Sequence, residues 1–133
     1  MNKQKETYFL QNFIRKSRRE RLEYELNTPK KRMEGIERFC HQAPDFLAPE
    51  KIRIKDSNLE NLPAFLKFVR EHEESVYLLS PDPLLNEQIL TLNEAVDLAA
   101  ANSDAVIMIG DTFAIVFAEA EKGGRDNYLL YQK

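Results

Sequence analysis

The sequence predicts an α+β protein: an N-terminal helical hairpin, then a mainly antiparallel sheet of four or five strands that ends in a C-terminal β-meander. Three observations carry this. Two apolar runs, residues 105–109 and 112–120, are split by Gly110-Asp111, and a third, residues 128–131, follows Gly123-Gly124. Apolar residues recur at helical spacing in residues 29–41. The elements between come in the order short strand, helix, strand, short helix, and three strands then follow in succession, an order that gives an α+β fold.

Residues 7–26 favour helix, with Tyr8, Phe9, Phe13 and Ile14 apolar at one end and Leu22, Tyr24 and Leu26 at the other. The middle, residues 15–21, has no apolar side chain, which predicts a helix exposed there or projecting beyond the core. Asn27-Thr28-Pro29 ends it: Thr28 suits a cap and Pro29 the first turn of a second helix. That helix runs to about residue 41 and buries Met33, Ile36, Phe39 and Cys40. A Pro-bearing loop leads to Lys51-Ile52-Arg53-Ile54-Lys55, whose alternation predicts an edge strand guarded by cations.

A further helix is expected over 62–73, capped by Asn61, with Pro63 in its first turn and a stripe of Leu62, Phe65, Leu66 and Val69. Residues 75–80 read as a strand ended by Pro81-Asp82-Pro83, and 87–92 as a brief extended piece. Thr91-Leu92-Asn93-Glu94 has the capping-box pattern and opens a short helix. In the meander, residues 106–109 are apolar on both faces and so belong inside a covered sheet. Phe113, Ile115 and Phe117 point one way, and Ala114, Val116 and Ala118 the other. The small face suits the close approach of a helix. Gly110 is expected to supply positive φ in a tight hairpin.

At 133 residues the chain is expected to form a single domain, with residues 1–43 as a basic helical segment packed on, or projecting from, a core of 44–133. No apolar stretch is long enough to span a bilayer and no secretory segment is evident, so cytoplasmic residence is the expectation. The charge is unevenly distributed. Residues 1–41 carry eleven Lys and Arg against six Asp and Glu, whereas residues 42–133 carry eight against sixteen. This bears on partners and solubility more than on fold.

Catalytic signatures are weak. Cys40 and His41 are adjacent, and neighbours on a helix point about 100° apart, so they do not face each other. Cys40 lies on the apolar stripe and reads as a core thiol. His72 reads as a surface imidazole beside carboxylates. The two histidines lack ligand spacing, the four glycines open no phosphate cradle, and no cofactor or metal is expected.

Two charged sets remain. The acids Glu71, Glu73, Glu74, Asp82, Asp104, Asp111, Glu119 and Glu121 predict an acidic sheet surface for a protein partner, a basic one by complementarity. Small inhibitors and immunity-type proteins use that strategy against basic enzymes. The cations Arg15, Lys16, Arg18, Arg19, Arg21, Lys30 and Lys31 offer the alternative, a nucleic-acid or anion surface, although neighbouring glutamates interleave with them at pairing distance. Homodimerisation is a further expectation, because a sheet apolar on both faces needs cover. An enzyme without a recognisable motif comes third.

Overall fold

The structure, a computed structural model, describes residues 1–101, 104–120 and 123–132. Among these the chain forms, in order, α1 (Lys3–Phe13), α2 (Lys16–Leu26), α3 (Pro29–His41), α4 (Ala43–Phe46), β1 (Ile52–Asp56), α5 (Pro63–Glu71), β2 (Ser75–Leu79), β3 (Ile89–Thr91), α6 (Leu92–Ala101), β4 (Val106–Ile109), β5 (Phe113–Glu119) and β6 (Arg125–Tyr131). The strands make one sheet, ordered β1-β6-β5-β4-β2-β3 and antiparallel at every junction. The meander β4–β5–β6 stands as its apolar runs predict, with Ile107 opposite Val116 and Ile115 opposite Leu129. The brief extended piece becomes β3, the sixth strand, because Ile89–Thr91 pairs with the start of β2.

Alternation across the pleat sends the strands into two cores. Tyr77, Leu79, Ile107, Ile109, Ala114, Val116 and Leu130 meet Phe9, Phe13, Ile36, Phe39 and Phe46 of α1, α3 and α4. Val76, Leu78, Met108, Phe113, Ile115 and Phe117 meet Phe65 and Val69 of α5 and Leu92 and Val96 of α6. The small side of β5 takes α3, and its Phe-Ile-Phe side is filled from α5 and α6. Both faces are thus covered within one chain. That removes the reason for expecting a second molecule to cover one of them.

The first predicted helix is broken. Ile14 and Arg15 are extended (ψ 133° and 146°), and Ile14 bridges Leu47. The Arg15 N–H donates to the Phe46 carbonyl at 2.8 Å and the Ala48 N–H to the Phe13 carbonyl at 2.8 Å. The polar middle therefore does not project: α1 is seated on the sheet, and α2 turns away to pair with α3. Caps differ in detail too. Leu62, not Asn61, precedes α5, and the Thr28 hydroxyl donates backwards to Tyr24 O at 2.7 Å and does not cap α3.

Gly110 does not take positive φ. A Cβ there would lie 2.5 Å from Cε1 of Phe113, so the hairpin needs glycine for close approach. Positive φ belongs to Gly123 (89°) and Gly124 (77°), in the turn before β6. Among the described residues no helix is long and apolar enough to cross a membrane.

Candidate functional site

In an antiparallel sheet the end of one strand lies beside the start of the next, so loops far apart in sequence gather at each end. The ends of β1, β2 and β5 and the starts of β4 and β6 share one end of this sheet. The structure therefore brings together three of the eight predicted acids, Asp82, Asp104 and Glu119, with Asp126 and Asp45 beside them. Glu119, Asp126 and Asp45 line a polar cleft of about 700 Å³ with His41, Gln42 and Lys55. His41 Nδ1 stands 2.8 Å from Glu119 Oε2, both side chains more than half exposed. Lys55 lies with its Nζ 5.6 Å from the centre of the Tyr128 ring. The Tyr128 hydroxyl is buried and, among the described residues, without a hydrogen-bond partner. Burial pushes it up to about 12, with the Asp126 carboxylate adding to the shift.

A side-chain hydrogen bond to Asp82 holds the Asp104 carboxyl above the usual carboxylate range; desolvation and the Asp82 charge add to this, while Arg125 acts against it. Asp82 sits in a tight turn, its Oδ1 accepting from the Leu84 N–H at 2.9 Å and its own N–H donating to Ser80 Oγ at 3.1 Å. The Arg125 guanidinium donates to the Ala99 carbonyl at 2.7 Å and the Asp104 carbonyl at 3.1 Å.

Four other predicted acids lie at the opposite end. Glu74 Oε2 accepts from the Asp111 N–H at 2.9 Å, and Asp111 Oδ1 accepts from Lys5 Nζ at 2.6 Å. Lys5 holds the Asp111 carboxyl below its usual range. Glu71 is 3.8 Å from Lys67, and Glu73 lines a cleft of about 390 Å³ with Arg70, Thr91 and Asn93. Glu121 lies outside the described residues. The acids are therefore at the ends of the sheet, not on a face, because both faces are packed with helices.

The predicted cations are divided as well. Arg15 donates to Leu47 O (3.2 Å) and Pro44 O (2.7 Å), which secures the break between α1 and α2. Arg19 donates to Ile14 O at 2.9 Å, not to Glu23. Arg18 lies over the Phe46 ring at 5.4 Å, and Arg21 is 3.9 Å from Glu25. Lys16, Lys30 and Lys31 are exposed. Arg38 binds Glu25 of α2 and not Glu34 one turn away on its own helix. Among the described residues none of these cations pairs with Asp82, Asp104 or Glu119. Lys5 and Arg32 link the basic and acidic halves instead.

Arg32 centres a buried network. Its Nη1 and Nη2 donate to Glu6 at 2.7 and 2.5 Å, and its Nε is 3.3 Å from Glu87. The Tyr77 hydroxyl donates to Glu6 at 2.7 Å. Glu6 is 4% exposed, so the fork of Arg32 is what lets a carboxylate stand there. The network locks α1, α3 and β2 together. Nothing in the local sequence signals it, since Glu6 and Arg32 are 26 residues apart.

The histidine and cysteine environments differ in how they match expectation. Cys40 is a core thiol, 1% exposed, and burial pushes it up to about 12. His72 is no surface imidazole among acids. It stacks on Phe68 (3.9 Å, 17°) and meets Phe113 and Tyr131 edge-on. Among the described residues no group of three or more His, Cys, Asp or Glu side chains is arranged to hold a metal.

No protein-family model matches the chain, and no curated protein or solved structure matches it either.

Proposed function

We propose that this chain is a protein-interaction module that receives a lysine- or arginine-bearing segment of a partner at the acidic end of its sheet. The observation behind this is the apposition of Asp82 and Asp104. Two carboxyls sharing one site raise the cost of ionising both, and a cation placed between them relieves that cost. Asp45, Glu119 and Asp126 line a cleft at the same end of the sheet, together with His41 and Lys55. A partner ammonium or guanidinium gains attraction there that it would not gain at the opposite end, where Lys5 already satisfies Asp111.

Calorimetric titration with an oligolysine peptide tests the proposal. Binding should weaken as salt rises, because exposed charges are screened beyond about 10 Å at 0.1 M salt. It should be lost in the Asp82→Asn, Asp104→Asn double variant. Equal affinity in that variant, or no binding by the parent chain, would sink the proposal. The Glu73 and Glu74 positions are poor controls as a pair, since Glu74 also holds the Asp111 backbone.

The exposure of Lys16, Arg18, Arg21, Lys30 and Lys31 favours nucleic-acid binding as a second reading. Exposed Glu20, Glu23, Glu34 and Glu37 on the same helices weaken it. Duplex DNA in place of oligolysine distinguishes the two.

A further inference from the structure

We infer that the polar cleft lined by His41, Asp45, Lys55, Glu119 and Asp126 is a binding site for a free basic amino acid, one molecule that carries a carboxylate and two cationic groups. The Asp82–Asp104 pair takes no part in it, so the inference does not rest on the reading above. His41 and Asp45 stand where α3 gives way to α4, Lys55 on β1, Glu119 at the end of β5 and Asp126 on β6. The volume, about 700 Å³, falls in the range of roughly 300–1,000 Å³ that small-molecule sites occupy.

Charge chooses the occupant. His41 and Glu119 answer each other at 2.8 Å. Among the described residues no ion pair forms at Lys55, Asp45 or Asp126. One positive group and two negative ones therefore line the same space without partners. A simple cation leaves Lys55 to repel it, and a simple anion meets two carboxylates. A carboxylate and two cations on one molecule answer all three. Lys55 does not close on Asp126 itself. It stands opposite Tyr128, two residues from Asp126, and such diagonal neighbours lie about 7–8 Å apart.

A second observation points the same way. Tyr128 shares its face of β6 with Asp126 and packs with Phe39, Ala43 and Phe46 of α3 and α4. Its hydroxyl is buried and, among the described residues, has no hydrogen-bond partner. Buried polar groups are nearly always paired, so this one calls for an acceptor. Lys55 Nζ lies over the same ring, 5.6 Å from its centre. A ligand carboxylate drawn in by Lys55 is the acceptor that the hydroxyl lacks, while the two cations of the ligand turn to Asp45 and Asp126.

Calorimetry of the full chain with free L-lysine, L-norleucine and 1,5-diaminopentane separates the contributions. L-Lysine should bind most tightly. Norleucine lacks the second cation and diaminopentane the carboxylate, so each should bind several-fold more weakly. Lys55→Gln and Tyr128→Phe should each weaken L-lysine several-fold without weakening diaminopentane. Asp45→Asn and Asp126→Asn should weaken both. The Asp82→Asn, Asp104→Asn variant should bind L-lysine as the parent does. No binding of L-lysine, diaminopentane bound as tightly as L-lysine, affinity for L-lysine indifferent to Lys55→Gln, or its loss in the Asp82→Asn, Asp104→Asn variant would overturn the inference.

Discussion

Glu87 holds a left-handed backbone, φ 66°, which costs a residue bearing a Cβ about 1–2 kcal/mol. Its N–H donates to the Leu78 carbonyl at 2.7 Å while the Leu78 N–H donates to Gln88 O at 2.9 Å, so two residues oppose one. Glycine is the usual occupant of such a bulge. Glutamate stands here because its carboxylate meets the amino terminus at 2.8 Å and Arg32 at 3.3 Å. The hydrogen bond from the amino terminus, then Arg32, holds its carboxyl below the usual range. Glu87→Ala keeps the strain and loses both pairs, whereas Glu87→Gly loses the pairs and releases the strain. Denaturant midpoints should place Glu87→Gly above Glu87→Ala, by up to about 1 kcal/mol after the entropic cost of glycine. The reverse order would mean that the backbone there is not strained. The contrast with Gly110 is instructive at the same scale. That glycine was legible as a turn residue, but its reason, the Phe113 ring against it, is a packing fact that sequence spacing does not hold.

At the scale of elements, what was legible was local. The Thr91-to-Glu94 capping box forms as read: the Glu94 N–H donates to Thr91 Oγ1 at 3.2 Å, and Glu94 Oε1 accepts from the Thr91 hydroxyl at 2.8 Å. Thr91→Ala should destabilise the protein by about 1 kcal/mol in thermal or chemical unfolding, and Thr91→Ser should stay near the parent. No loss in Thr91→Ala would mean that packing of Leu92 and Val96 alone holds α6. The meander was equally local, because its apolar runs, their alternation and their turns lie within thirty residues. The break between α1 and α2 was not. No glycine or proline marks Ile14 and Arg15; the extended pair is imposed by Leu47 and Phe46, more than thirty residues later. The choice of Arg38 for Glu25, 13 residues away on another helix, over Glu34 was hidden in the same way. Helical propensity in residues 15–21 survived, but tertiary hydrogen bonds decided where the helix begins.

Over the whole molecule, the charge asymmetry read from the sequence is resolved into three parts. Arg32 and Lys5 join the two halves; Arg15, Arg18, Arg19 and Arg21 serve the helical layer itself; and the acids separate to the two ends of the sheet. The ends respond oppositely to pH. Lys5 lowers the Asp111 carboxyl, so that contact stabilises above the unfolded carboxyl range and is lost as pH falls through the folded value. Asp104 is raised chiefly by its hydrogen bond with Asp82, so the folded state holds that proton more readily. Its contribution is favourable at low pH and is lost as pH rises through the folded value. A bound cation should reverse that second effect by favouring the ionised pair.

Carbon-detected NMR titration of the Asp104 and Asp111 carboxyls, with and without oligolysine, reads this directly. Asp104 should titrate above the ordinary aspartate range in the free protein and fall toward it with peptide bound, while Asp111 stays low in both. An ordinary Asp104 titration that ignores the peptide would contradict the proposed role of the acidic end.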